Sequence, residues 1–150
     1  MNFVEIVELV NSDLENEWKH LTFYLKSSAV IRGVHRNHLS PFLFQQAQSE
    51  LEHVLAFSKQ VVALGGSPVT ASTRELLIPF YAEEIIDNAI VLEQEVVITY
   101  TKRKRDLEAL LDNYDSKESA KIQNLILFYE EQIEDSHTDL NELREMARGY

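Results

Sequence analysis

Ser49-Glu50-Leu51-Glu52-His53-Val54 decides how this chain is read, because it sets a carboxylate and an imidazole three residues apart within an apolar, periodic segment. The spacing recurs at Glu17–His20 and Glu134–His137, so three of the five histidines follow a glutamate by three positions. With 18 Glu in 150 residues, composition alone gives roughly 0.6 such pairs. Residues i and i+3 share one helix face. A carboxylate and an imidazole held there can ligate one metal ion. A metal-binding helical bundle is expected.

Outward from that stretch, the composition agrees. Hydrophobic residues make up 45% of the chain, against only 4 Gly and 3 Pro. That favours long helices over a turn-rich β fold. A chain of this length predicts one domain over 1–150, large enough to bury a core without staples. Cysteine is absent, which excludes disulfides, zinc–thiolate sites, iron–sulfur clusters and thiol catalysis. The start, Met1-Asn2-Phe3-Val4-Glu5, lacks the basic and apolar regions of a signal peptide. No apolar run approaches the length of a membrane span, so no membrane partner is expected and the expected location is cytoplasmic. A formal charge of −11 repels nucleic acid and suits cations.

Four helices are legible. Asn2 with Glu5 offers a capping box, and Phe3, Ile6, Val10, Leu14, Leu21, Leu25 and Ala29 recur at helical spacing toward Gly33. Ser40-Pro41 predicts a second start, a capping hydroxyl followed by proline at the first helical position. That helix carries Leu43, Ala47, His53, Val54, Phe57 and Val61 and stops at Gly65-Gly66. A short helical turn is expected within residues 67–80. The third helix is predicted from Tyr81 to Leu111. Asp115 with Glu118 opens a fourth, with Ile122, Ile126, Ile133, Leu140 and Leu143 as its apolar stripe.

Loop lengths then set the topology. The turns near Gly33 and Asn113 are short, so helices one and two, and three and four, should pair as antiparallel hairpins. The link between helices two and three is long. Roughly 39 Å of climb is needed if those helices run parallel, at about 1.5 Å per residue, and some 15 extended residues reach about 50 Å. An up-down-up-down bundle would not need such a link, which favours a long crossover.

In each hairpin, glutamates equidistant from the turn share a level: Glu17 with Glu50 about Gly33, and Glu93 with Glu134 about Asn113. His53 and His137 stand one turn on. Docked hairpins would gather Glu17, Glu50, His53, Glu93, Glu134 and His137 at one height. Four buried carboxylates without cations would be prohibitive, and two divalent ions would neutralise them. By helical phase His20 falls near the edge of the core stripe. His35 and His38 sit in the first turn as interface or solvent groups, and Lys102-Arg103-Lys104-Arg105 is a solvated basic run.

These motifs resemble the ferritin-like di-iron carboxylate proteins, where two helices each give one Glu and two each give Glu-x-x-His. Glu17 and Glu93 correspond to the single glutamates, and Glu50–His53 and Glu134–His137 to the paired motifs. The segments Asn16-Glu17…Tyr24, Ser49–His53 and Ala63-Leu64-Gly65-Gly66-Ser67-Pro68 look most like bacterioferritin and its Dps-like relatives. The resemblance implies an all-α, ferritin-like four-helix bundle binding two iron ions per subunit, with Glu50 and Glu134 bridging them. Glu17 with His53, and Glu93 with His137, would complete the set.

Tyr24 and Tyr100, each seven residues after a ligand glutamate, would be hydrogen-bonding neighbours of the site or core residues. Leu51 stands where haem-binding bacterioferritins use methionine, so no haem is expected. The implied activity is a ferroxidase that takes Fe(II) with dioxygen or hydrogen peroxide, inside a homo-oligomeric shell of 12 or 24 subunits that stores iron. Two alternatives stay open: a di-metal redox enzyme akin to manganese catalase or rubrerythrin, and a DNA-protecting Dps-like particle.

Overall fold

The computed structural model describes residues 1–72 and 75–150. Helix α1 (Phe3–Val30) opens on the expected capping box: Asn2 Oδ1 accepts from the Glu5 N–H at 2.9 Å, and Glu5 Oε2 from the Asn2 N–H at 3.1 Å. Both contacts satisfy donors that the first helical turn would leave orphaned. Past α1 the chain reverses at Gly33, whose φ of +96° lies where a Cβ is strained.

Helix α2 (Arg36–Ala63) begins one turn earlier than Ser40-Pro41 predicts, leaving Pro41 inside it. Ser40 is not the cap. Its hydroxyl donates instead to the Ser28 carbonyl at 2.6 Å and ties α2 to the end of α1. Helix α3 (Ala82–Glu108) stops short of Leu111, where a single 3₁₀ turn, Leu111–Asn113, takes over. Helix α4 (Ser116–Ala147) is capped by Asp115, which accepts from the Glu118 N–H at 2.8 Å. The helical turn expected within 67–80 is absent from the described residues of that segment, and Thr73 lies outside them.

The chain forms two compact units, Met1–Ile85 and Ile86–Tyr150. In the first, α1 and α2 pair antiparallel and bury Ile6, Val10, Leu14, Leu43, Phe57 and Val61. The segment after α2 then returns along this hairpin. It starts where Gly66 packs on Val7, so tightly that a Cβ would collide with the valine methyl. It climbs past Asn11, whose side chain donates to the Ser67 carbonyl and accepts from the Val69 N–H, each at 3.0 Å. The Trp18 indole donates to the Val69 carbonyl at 3.1 Å. At the other end the Arg32 N–H donates to the Phe80 carbonyl at 2.7 Å, with its guanidinium 4.5 Å from the Phe80 ring centre. From Asn11 to Arg32 is about 30 Å of helix. The link therefore travels the hairpin's length, as a long crossover requires.

In the second unit α3 and α4 also run antiparallel. Glu93 meets Ser136, Tyr100 meets Tyr129 with ring centres 5.3 Å apart, and Lys104 meets Glu130 at 3.0 Å. The buried face of α4 runs through Ile122, Leu125, Ile126, Phe128, Tyr129, Gln132, Ser136, Leu140 and Leu143. Among the described residues, no helix is long and apolar enough to cross a membrane.

Candidate metal centre

The α1–α2 hairpin brings Glu17, Glu50 and His53 together, with one ligand atom from each lying within 4.8 Å of the others. Both carboxylates are buried. His53 Nδ1 lies 3.2 Å from Glu50 Oε2 and 3.7 Å from Glu17 Oε2. Two donors on opposite sides of one ion stand about 4.2 Å apart at bond lengths of ~2.1 Å. Shifts of a few tenths of an ångström would thus bring all three onto a single ion, and the oxygen and imidazole donors suit iron, manganese or zinc. The residues fit a divalent metal.

His20 stands beside Glu17 but outside the group whose ligand atoms lie within 4.8 Å of one another. It was expected near the edge of the core stripe, yet only 5% of it is exposed and its Nδ1 lies 3.9 Å from Glu17 Oε2. One turn from Glu50 on the same helix, Gln46 is also buried, and its Oε1 has no hydrogen-bond partner among the described residues.

Glu17, Glu50 and His53 alter one another's proton affinity. Burial pushes the Glu17 carboxyl up, but hydrogen bonds to His20, His53 and Glu50 outweigh it and hold the group well below the usual carboxylate range. Glu50 goes the other way. Burial, then the negative charge of Glu17, raise it well above that range. Burial disfavours the charged form of His53, yet hydrogen bonds to Glu17 and Glu50 raise its pKa to about 11. Without metal, His53 is a cation near neutral pH. A metal ion must displace its proton.

The second unit is built differently. Glu93 is its buried carboxylate, and the Ser136 hydroxyl donates to Glu93 Oε2 at 2.9 Å. Glu134 and His137 are exposed, which corrects their expected inward placement. The reason is helical phase: at about 100° per residue, Glu134 stands roughly 200° from both Gln132 and Ser136, opposite the buried stripe. His137 falls about 100° beyond Ser136. A stripe drawn through Ile133, which is only half-buried, misled the sequence reading. The polar residues it missed are Gln132 and Ser136. Their signal was the spacing Tyr129–Gln132–Ser136–Leu140, which continues the apolar stripe.

The remaining candidates are placed as follows. Tyr24 and Tyr100 are fully buried, and Tyr100 packs edge-on against Tyr129. His35 and His38 meet edge to face in the first turn, with ring centres 5.5 Å apart and planes at 79°. Within the basic run, Lys104 pairs with Glu108 at 3.7 Å and Glu130 at 3.0 Å.

Residues 7–146 match the sequence profile of the ferritin-like domain, and the chain belongs to that family. Its four helices form a ferritin-like fold, consistent with a four-helix bundle. Among solved structures it is similar to a ferritin-like diiron-carboxylate protein from Bacillus anthracis, with 26% identity over 98% of this chain and 99% of that one and a TM-score of 0.82. It shares its fold with Dps from Thermosynechococcus elongatus (14% identity, 96% and 91% covered, TM-score 0.74). The dodecameric thioferritin of Bacteroides fragilis, a bacterioferritin-related protein, is a further fold relative (15%, 100% and 92%, 0.63). A search of curated proteins finds no match.

Proposed function

We propose that this chain is an iron-oxidising and iron-storing member of the ferritin-like family. Fe(II), its substrate, binds where Glu17, Glu50 and His53 converge, is oxidised to Fe(III) there, and passes to a mineral held inside a homo-oligomeric shell. The observation that carries the reading is the convergence of these three donors, within 4.8 Å of one another and largely removed from solvent. Anionic oxygen donors stabilise the ferric product over the ferrous substrate. Each Fe(II) gives up one electron, so one hydrogen peroxide accepts the electrons of two Fe(II) ions, takes up two protons and leaves two waters. Dioxygen can serve in place of peroxide. The diiron-carboxylate description of the Bacillus anthracis relative supports iron as the metal.

The shell follows from the need for enclosed space, which closed point-group symmetry supplies in homo-oligomers. An assembly of 12 or 24 copies is proposed, and the dodecameric Bacteroides fragilis protein supports the smaller number. Sedimentation of the purified chain after aerobic iron loading tests both parts at once. An iron-bearing particle of 12 or 24 subunits is expected. A monomer or dimer that carries no iron would remove storage as the function.

A further inference from the structure

Two of the five histidines, His35 and His38, stand apart from the buried centre, where α2 begins. His35 caps the helix start, and its φ of −91° and ψ of −2° already follow the helical path. The Leu39 N–H donates to the His35 carbonyl at 3.0 Å and closes the turn that carries both rings. Residues three apart on such a turn share one face, and the two ring centres lie 5.5 Å apart. The His35 side chain is not spent on a capping hydrogen bond. The turn is anchored by the fully buried Leu39 and by the 2.6 Å hydrogen bond from Ser40 to the Ser28 carbonyl. The pair itself is open to solvent, His38 exposed and His35 half-buried.

Bond lengths set what two such rings can hold. With a metal–nitrogen bond of ~2.1 Å and ~1.2 Å more to the ring centre, neighbouring ligands on one ion stand roughly 4.6–5.4 Å apart, centre to centre. The observed 5.5 Å needs only a small side-chain rotation to fall in that range. The donors are nitrogen alone, since no Asp or Glu occurs between Glu17 and Glu50 in the sequence. Arg32 and Arg36, both exposed, flank the pair. Oxygen-seeking ions such as Mg(II) and Ca(II) therefore find no ligand on this turn and meet positive charge. Affinity for imidazole rises along the first row to Cu(II), and two imidazoles with two waters make the tetragonal nitrogen–oxygen set that Cu(II) favours. We propose that His35 and His38 form a second, exposed metal site that takes an imidazole-seeking divalent ion, Cu(II) foremost. Its nitrogen-only donors set it apart from the oxygen-rich buried centre, and it does not depend on what that centre binds.

The test counts Cu(II) bound per chain of the purified protein, by equilibrium dialysis at neutral pH in a non-coordinating buffer. The parent should hold one more Cu(II) than a His35→Ala/His38→Ala double variant. Either single substitution should weaken that ion about 10-fold or more, because the second imidazole binds it intramolecularly. The part of the electron paramagnetic resonance spectrum that the double variant loses should carry splitting from two nitrogens. Anaerobic Fe(II) titration of the double variant should match the parent, which also shows that it folds. Crystals of the parent soaked in Cu(II) need no substitution, and an anomalous peak at the copper edge is expected within bonding distance of both rings. Equal Cu(II) counts in parent and double variant, or a peak on one ring only, overturns the proposal and leaves the reading of the buried centre intact.

Discussion

The Ser136 hydroxyl donates to Glu93 Oε2 at 2.9 Å, and both side chains are buried. This hydrogen bond fixes the rotation of α4 against α3: with Ser136 turned toward Glu93, Glu134 stands on the opposite side of its helix. Removing a partner from a buried carboxylate costs about 1–3 kcal/mol. Ser136→Ala should therefore lower the denaturation midpoint of the metal-free protein by that amount, read by urea unfolding, and leave metal affinity in the first hairpin unchanged.

Burial and the negative charge of Glu17 raise the Glu50 carboxyl well above the usual carboxylate range, and glutamine is close in shape to glutamate but carries no charge. Glu50→Gln should leave the metal-free protein as stable as the parent or slightly more so, because a buried ionisable carboxyl beside Glu17 is replaced by a neutral amide of similar shape. Affinity for a divalent ion should fall at least about 100-fold, since an anionic donor is lost. Thermal melts with and without Mn(II) separate the two effects. The parent should gain melting temperature from metal by mass action, and the variant should not.

The pH dependence follows from His53, whose pKa is raised to about 11 in the folded chain against an unfolded value near 6.5. Between those values the folded state binds more protons than the unfolded one. The stabilisation from His53 is complete below about 6.5 and is lost as pH rises toward 11. The melting temperature of the metal-free protein should decline from about pH 7 to about pH 10, and His53→Gln should flatten that decline. Metal affinity has the opposite slope. Binding displaces the His53 proton, so affinity should rise with pH, and calorimetry in buffers of differing ionisation enthalpy should detect the released proton.

Gly66 packs directly on Val7 and Val61, so a Cβ there forces a stiff, branched side chain to move. Gly66→Ala should cost about 1–3 kcal/mol by overpacking, measured by urea denaturation. The loss arises where the crossover leaves α2, far along the hairpin from His53, and so metal stoichiometry should be unaffected.

Much of this was legible in the sequence. The capping box at Asn2, the break at Gly65-Gly66 and the long link before Tyr81 are local signals, and each appears in the structure. Glu17, Glu50 and His53 were legible because the Gly33 turn is short and fixes the register of α1 against α2. The second hairpin was not, because register alone does not set rotation. Its stripe runs through polar residues at Gln132 and Ser136, and a hydrophobic count passes over them in favour of Ile133. His20, placed by its helical phase at the margin of the core, is buried, with its Nδ1 3.9 Å from Glu17 Oε2 on the same helix.

The most direct measurement is anomalous diffraction at the iron absorption edge from crystals soaked in Fe(II) without oxygen. The expected result is a peak in every chain among Glu17, Glu50 and His53, with no peak of similar height beside Glu134 and His137. A map with its strong peak at Glu134 and His137, and none in the α1–α2 hairpin, would contradict the account.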